Sequence, residues 1–151
     1  MYHRILAPVD GSETSQRGLE EAVRLAKTLQ AQLKLVHVVD ESALTLNPEV
    51  TTATTPLIDE FIAGGKEVLA ASAALAQKLG VTVETALHEN LSGRVADVVL
   101  DEAKKWGADL IVMGTHGRRG IRHVVLGSDA EAVVRSANVP VLLVRAPKGA
   151  S

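Results

Sequence analysis

The chain has 151 residues, a hydrophobic fraction of 46%, three aromatic residues (Tyr2, Phe61 and Trp106), no cysteine and a formal charge of -2. That length suits one domain with a core built from Val, Leu, Ile and Ala. The missing cysteine excludes a disulfide framework, a thiolate metal site and a thiol nucleophile, and the charge excludes a global attraction to nucleic acid or anionic membrane. Any basic site must be local. The start, Met1 to Asp10, meets an acid after five mostly apolar residues, too short for a signal-peptide core, and no apolar run approaches the roughly 20 residues of a membrane span. The expectation is a soluble, cytoplasmic protein.

In chain order, Ile5 to Val9 reads as a short buried strand closed by the turn residues Asp10-Gly11-Ser12. Leu19, Ala22, Val23, Ala26 and Leu29 follow at three- and four-residue steps, which puts them on one helix face. Leu33 to Val39 is apolar and β-branched, a second strand ending at Asp40. Glu41 to Pro56, with five threonines and two prolines, shows no period and reads as a loop.

A second helix is expected from about Ile58 to Leu79. Gly64-Gly65 lies inside it, so a kink or a close helix contact is expected there. Val81 to Leu87 alternates apolar with polar residues, a less buried third strand. Ser92 offers an N-cap for a third helix bearing Val95, Val98, Val99, Ala103 and Trp106 and ending at Gly107. Leu110-Ile111-Val112-Met113 is wholly apolar and stops at Gly114, the best candidate for a central strand. Ser128 to Ala137 reads as a fourth helix, opened by the capping-box sequence Ser128-Asp129-Ala130-Glu131. Pro140 to Val144 is a last strand, and a proline at its first position suits a sheet edge.

Five strands alternating with helices imply a doubly wound parallel sheet with helices on both faces. Orders 3-2-1-4-5 and 2-1-3-4-5 are both common at this length, and ligands bind beyond the strand carboxyl ends where the order reverses. For the first order that point lies between Asp10 and Gly114.

Thr115 to Leu126 contains three arginines (Arg118, Arg119 and Arg122) and no acid. Glycines at 114, 117, 120 and 127 would let backbone N–H groups approach an anion, and the helix after them adds its positive N-terminal end. Phosphate is the natural guest. The loop lacks the lysine of a P-loop, and no glycine-rich turn after the first strand supports a dinucleotide fingerprint. His3, His37 and His88 show no metal-ligand spacing, so no metal site is expected.

Gly114, Gly117, Gly127 and Ser128 follow the spacing glycine, two residues, glycine, nine residues, glycine, serine. With Ile5 to Ser12 and Val139 to Val144, from about Tyr2 to Arg145, they make the chain resemble the ATP-binding branch of the universal stress protein family. The resemblance implies a Rossmann-like fold of the adenine nucleotide alpha hydrolase-like kind, five parallel strands in the order 3-2-1-4-5. It implies ATP or AMP as the ligand, with Mg²⁺ as an optional companion. Pro8, Val9 and Asp10 would flank base and sugar, with Asp10 accepting from a ribose hydroxyl, and Val38 would contact adenine. Met113, Gly114, His116, Gly117, Arg118, Gly127 and Ser128 would line the ribose and phosphates. Asp129 departs from the family pattern, which has a small apolar residue there. An acid in that first helical turn suits the helix dipole but repels phosphate unless it points away or holds Mg²⁺.

The leading expectation is a nucleotide-responsive regulatory protein of the stress response with an unidentified protein partner. It is a homodimer through the last strand, with no nucleic acid or membrane partner. A slow ATPase or phosphotransferase is the second reading; no P-loop lysine, paired carboxylates or nucleophile beside a base support it. The third is a dimeric interaction module without nucleotide.

Overall fold

The structure is a computed structural model that describes residues 1–41, 54–90, 93–115 and 126–146. Among these the elements are β1 (Arg4–Pro8), α1 (Glu13–Leu29), β2 (Gln32–Asp40), α2 (Thr54–Lys78), β3 (Val83–Asn90), α3 (Val95–Trp106), β4 (Leu110–Gly114), α4 (Ser128–Ser136) and β5 (Val141–Val144). All strands are parallel and lie in the order β3-β2-β1-β4-β5.

Apolar alternation divides the strands between two cores. Ile5, Ala7, Val9, Leu33, Leu35 and Val112 face α1 and α2, where Leu19, Val23, Leu69 and Ala76 cover them. Leu6, Val36, Ile111 and Met113 face α3 and α4, beneath Ala96, Val99, Ala103, Ala130 and Val133. β4 is buried at every position, as its wholly apolar run requires, and β3 at the edge buries only Asn90.

Several boundaries move for local reasons. Pro56, expected in a loop, lies in the first turn of α2, where a missing N–H leaves no intrahelical bond unmade. The rest of that expected loop, 42–53, lies outside the described residues. Val81, expected in the third strand, closes α2 instead: Gly80 takes a left-handed φ of 88°, and the Val81 N–H donates back to the Ala76 carbonyl at 2.9 Å. The N-cap of α3 is Arg94, without a side-chain cap bond, in place of Ser92, which is itself outside the described residues. Gly107 ends that helix as expected. Gly127, not Ser128, caps α4, so the capping-box reading fails there. Pro140 precedes β5, yet its carbonyl still accepts from the Ile111 N–H at 3.0 Å.

The glycine pair does not break α2, which runs through it. Gly64 has nothing near its missing side chain, whereas a Cβ on Gly65 would lie 2.7 Å from the His37 ring and 2.9 Å from Leu87. The expected close contact exists at Gly65, between helix and sheet.

A charged clamp ties α3 to the sheet. Glu102 holds Lys34 of β2 at 2.5 Å and His88 of β3 at 3.0 Å. The Lys34 ammonium keeps the Glu102 carboxyl below the usual carboxylate range; burial opposes this and His88 adds to it. Lys34 and Arg4 both lie 5.8 Å from the Trp106 ring, within cation-π range. At the amino end of the sheet Asp109 accepts from the His3 and Arg4 N–H groups; burial works against its charge, yet those bonds keep its carboxyl below the ordinary value.

Candidate functional site at the reversal of strand order

The chain leaves β1 and β4 in opposite directions across the sheet, which leaves a notch between their carboxyl ends. Pro8, Val9 and Asp10 form one wall. Gly11, at φ 83°, makes a turn that only glycine adopts without strain, and it sends the chain straight into α1. Asp10 is locked by this turn. Its N–H donates to Ser15 Oγ at 2.9 Å, and its Oδ1 accepts from the Ser12 N–H at 2.8 Å. Ser12 caps α1, its Oγ accepting from the Ser15 N–H. One carboxylate oxygen of Asp10 is thus engaged, and Oδ2 takes part in none of the described bonds.

Met113 and Gly114 form the facing wall. Gly114 is small for a reason other than anion approach: a Cβ there would lie 2.5 Å from the Thr14 carbonyl oxygen and 2.6 Å from its carbon. Gly18 meets the same spot from the helix side, its own absent Cβ pointing 2.9 Å from the Gly114 nitrogen. These two glycines bring the start of α1 against the end of β4, backbone on backbone.

The expected phosphate loop is tied at its neck. The Gly127 N–H donates to the Thr115 carbonyl at 2.7 Å, and the Thr115 N–H donates to the Val144 carbonyl at 3.0 Å. Gly127 therefore offers no N–H to an anion, and its φ of -62° is open to any residue. Ser128 and Asp129 follow in the first turn of α4, both exposed, where helical N–H groups lack intrahelical acceptors. His116, Gly117 and Arg118 lie outside the described residues.

Beside the notch, β2 outruns β1. Val38 lies past the last β1–β2 register pair, Pro8 with Val36, and its side chain packs on the α3–α4 core. Beyond it Asn90 Nδ2 donates to Asp40 Oδ1 at 3.0 Å, and the Glu41 N–H donates to the Asn90 carbonyl. Glu41 is buried with Oε1 lacking a partner among the described residues; burial, then the adjoining Glu89 carboxyl, raises its carboxyl above the usual range.

Pro8, Val9, Asp10, Val38, Met113 and Gly114 therefore converge on one end of the sheet, with Gly127, Ser128 and Asp129 at the mouth of the late loop. Sequence reasoning read Ser12 only as a turn residue and gave Ser15 and His37 no part in the site. The signal for His37 was a polar residue set between the paired valines Val36 and Val38 in the buried half of the strand.

No helix among the described residues is long and apolar enough to cross a membrane. The model of the universal stress protein family matches residues 1–145. A universal stress protein of Methanocaldococcus jannaschii is 37% identical over 149 residues, covering 98% of this chain and 85% of its own. The solved structure of universal stress protein UspA from Lactobacillus plantarum is 29% identical and matches with a TM-score of 0.83 over 95% of this chain and 98% of its own. A universal stress protein from Archaeoglobus fulgidus, solved in complex with dAMP, is 26% identical with a TM-score of 0.66, covering 95% of this chain and 98% of its own. With the family's model matched along nearly its whole length and its five-stranded order in place, the chain belongs to the universal stress protein family.

Proposed function

We propose that the chain binds an adenine nucleotide, ATP or AMP, in the notch between β1 and β4, and that occupancy alters a surface read by a protein partner in the cytoplasm. The observation that carries this reading is the meeting, at one reversal of strand order, of a turn-locked Asp10, backbone groups of β2 beyond the end of β1, and the start of α4. Asp10 Oδ2 suits a ribose hydroxyl. The first-turn N–H groups of α4, with the arginines of the late loop, suit phosphate. The relative solved with dAMP supports an adenine ligand.

Calorimetric titration with ATP and AMP, with and without Mg²⁺, tests it. Gly117→Val and Gly127→Val are expected to weaken wild-type binding by about tenfold or more, roughly 1.4 kcal/mol. For Gly127 the reason is bulk at the loop mouth, since its φ asks for no glycine. Binding unchanged in both variants overturns the site. Asp129 stands in the first turn of α4, so magnesium-dependent binding of ATP but not AMP would assign it to the metal, and magnesium-independent weakness toward ATP to repulsion. We propose no catalytic role for the site.

The same reading makes β5 a dimer contact. It is an edge strand, Leu142 is 38% exposed, and Val134 on the neighbouring α4 is 46% exposed. An apolar edge with open backbone groups is stabilised by pairing with a second copy. Light scattering at micromolar concentration is expected to give twice the chain mass, and Leu142→Lys to return it to one. A single-chain mass for the wild type would exclude the dimer.

A further inference from the structure

We propose that His37 is a positioning residue of the base pocket: its bond to the Val9 carbonyl ends the β1–β2 ladder one rung early and leaves the Val38 N–H and C=O open to the edge of an adenine. This rests on the adenine-nucleotide reading above and adds a residue to it.

Strand parity carries the argument. The Gln32 N–H donates to the His3 carbonyl and the Val36 carbonyl accepts from the Val9 N–H at 2.8 Å, so even-numbered residues of β2 turn their backbone groups toward β1. The Glu41 N–H donates to Asn90 of the β3 side, so odd-numbered residues turn the other way. Val38 therefore directs both its N–H and its C=O toward β1.

The next rung of the ladder would run from the Val38 N–H to the Val9 carbonyl. The register stops at Pro8 with Val36, and that rung is not among the bonds of these residues. The Val9 carbonyl instead meets His37 Nδ1 at 2.7 Å. A carbonyl can only accept, so Nδ1 carries the proton and donates. The ring is 8% exposed and held from the far side by Gly65, where a Cβ would fall 2.7 Å from Cδ2 and 3.1 Å from Nε2. Leu87 closes the third side of that contact. Without the ring, the simplest partner for the Val9 carbonyl is the Val38 N–H, and the strands would zip together across the place a base would occupy.

An open N–H beside an open C=O complements the acceptor N1 and donor amino group of adenine. Hypoxanthine has nearly the same shape with the two roles exchanged, a donor N1–H and an acceptor oxygen. A strand fixes the order of its own donor and acceptor, so the pair discriminates between the two bases.

The test compares wild type, His37→Leu, His37→Asn and Gly65→Ala. In wild type AMP is expected to bind at least about tenfold tighter than IMP, because the mismatched base leaves buried polar groups unpaired. His37→Leu is expected to bring the two within about threefold of each other. His37→Asn, whose amide can donate to the Val9 carbonyl, keeps the preference. Gly65→Ala, which displaces the ring without removing it, lowers the preference and supplies a second variant should His37→Leu fail to fold.

Amide exchange of the unliganded proteins gives a readout with its own sign. Val38 is expected to exchange fast in wild type and more slowly in His37→Leu, as the missing rung forms. A merely structural histidine predicts the reverse, faster exchange across the destabilised strand. The proposal is overturned by Val38 exchange that fails to slow in His37→Leu, or by an AMP to IMP ratio unchanged in both His37→Leu and Gly65→Ala. A wild type that binds neither nucleotide overturns the nucleotide reading instead, and the exchange result still decides what His37 does to the ladder.

Discussion

Gly114→Ala is expected to destabilise the protein by about 3 kcal/mol, the upper part of the range for overpacking a filled interior. The added carbon would meet Thr14 oxygen and carbon at 2.5 and 2.6 Å and the Ser15 nitrogen at 3.0 Å. All three are backbone atoms, so no side chain can swing aside. Relief requires the start of α1 to move off β4, and that start carries Ser12 and Ser15, which hold Asp10. Stability and nucleotide affinity should therefore fall together. Thermal melts are expected to lose about 10 °C, as roughly 3 kcal/mol implies for a chain of this size. If Gly114 were present only to admit a phosphate, the variant would lose affinity and melt like wild type. That outcome would remove the packing account.

Glu102→Gln is expected to cost about 3 kcal/mol at neutral pH, the low end for breaking a buried ion pair. The side chains of Lys34 and Glu102 are 16% and 10% exposed, so a lone Lys34 ammonium would be left in a largely desolvated place. The double variant Lys34→Met with Glu102→Leu should recover most of the loss, since it removes both charges and keeps the volume. Acid adds a signature. The folded Glu102 carboxyl lies below its ordinary value near 4.5, so its contribution is complete above that pH and is lost as pH falls through the lower, folded value. The gap between wild type and Glu102→Gln, followed by urea melts from pH 7 downward, should therefore hold at neutral pH and narrow in acid. A gap that failed to narrow once the pH fell well below the ordinary carboxylate range would exclude the clamp as its source.

The parts of this fold that were legible from sequence are those in which one residue type repeats for one physical reason. Leu110 to Met113 could only be a buried strand, and the stripe from Leu19 to Ala26 could only be one face of a helix; both are as expected. Errors collected where a residue serves either of two neighbouring elements. Val81 has the composition of a strand but completes the end of α2, and Pro56 resembles a breaker but lies where a helix has no N–H to lose. Ser128 matched a capping pattern, yet the helix begins one residue earlier than that pattern required.

For the candidate site, spacing and resemblance pointed to Pro8 to Asp10 and Met113 to Gly114, two segments that the strand order brings side by side. They gave no hint of the packing demand for a glycine at 114, since its neighbour Thr14 is a hundred positions away in sequence. The Lys34, His88 and Glu102 clamp was invisible for the same reason: its members come from three elements, and each alone looks like an ordinary surface charge.

The bond from the Gly127 N–H to the Thr115 carbonyl joins the two ends of the late loop before any ligand arrives. Bringing together the ends of a free segment of that length carries an entropy penalty of about 2 kcal/mol from the logarithmic length term alone. In this protein that penalty belongs to folding, not to binding. For the phosphate proposed to bind there, closing the ends of the loop is no part of the binding cost, and each contact it makes keeps correspondingly more of its affinity.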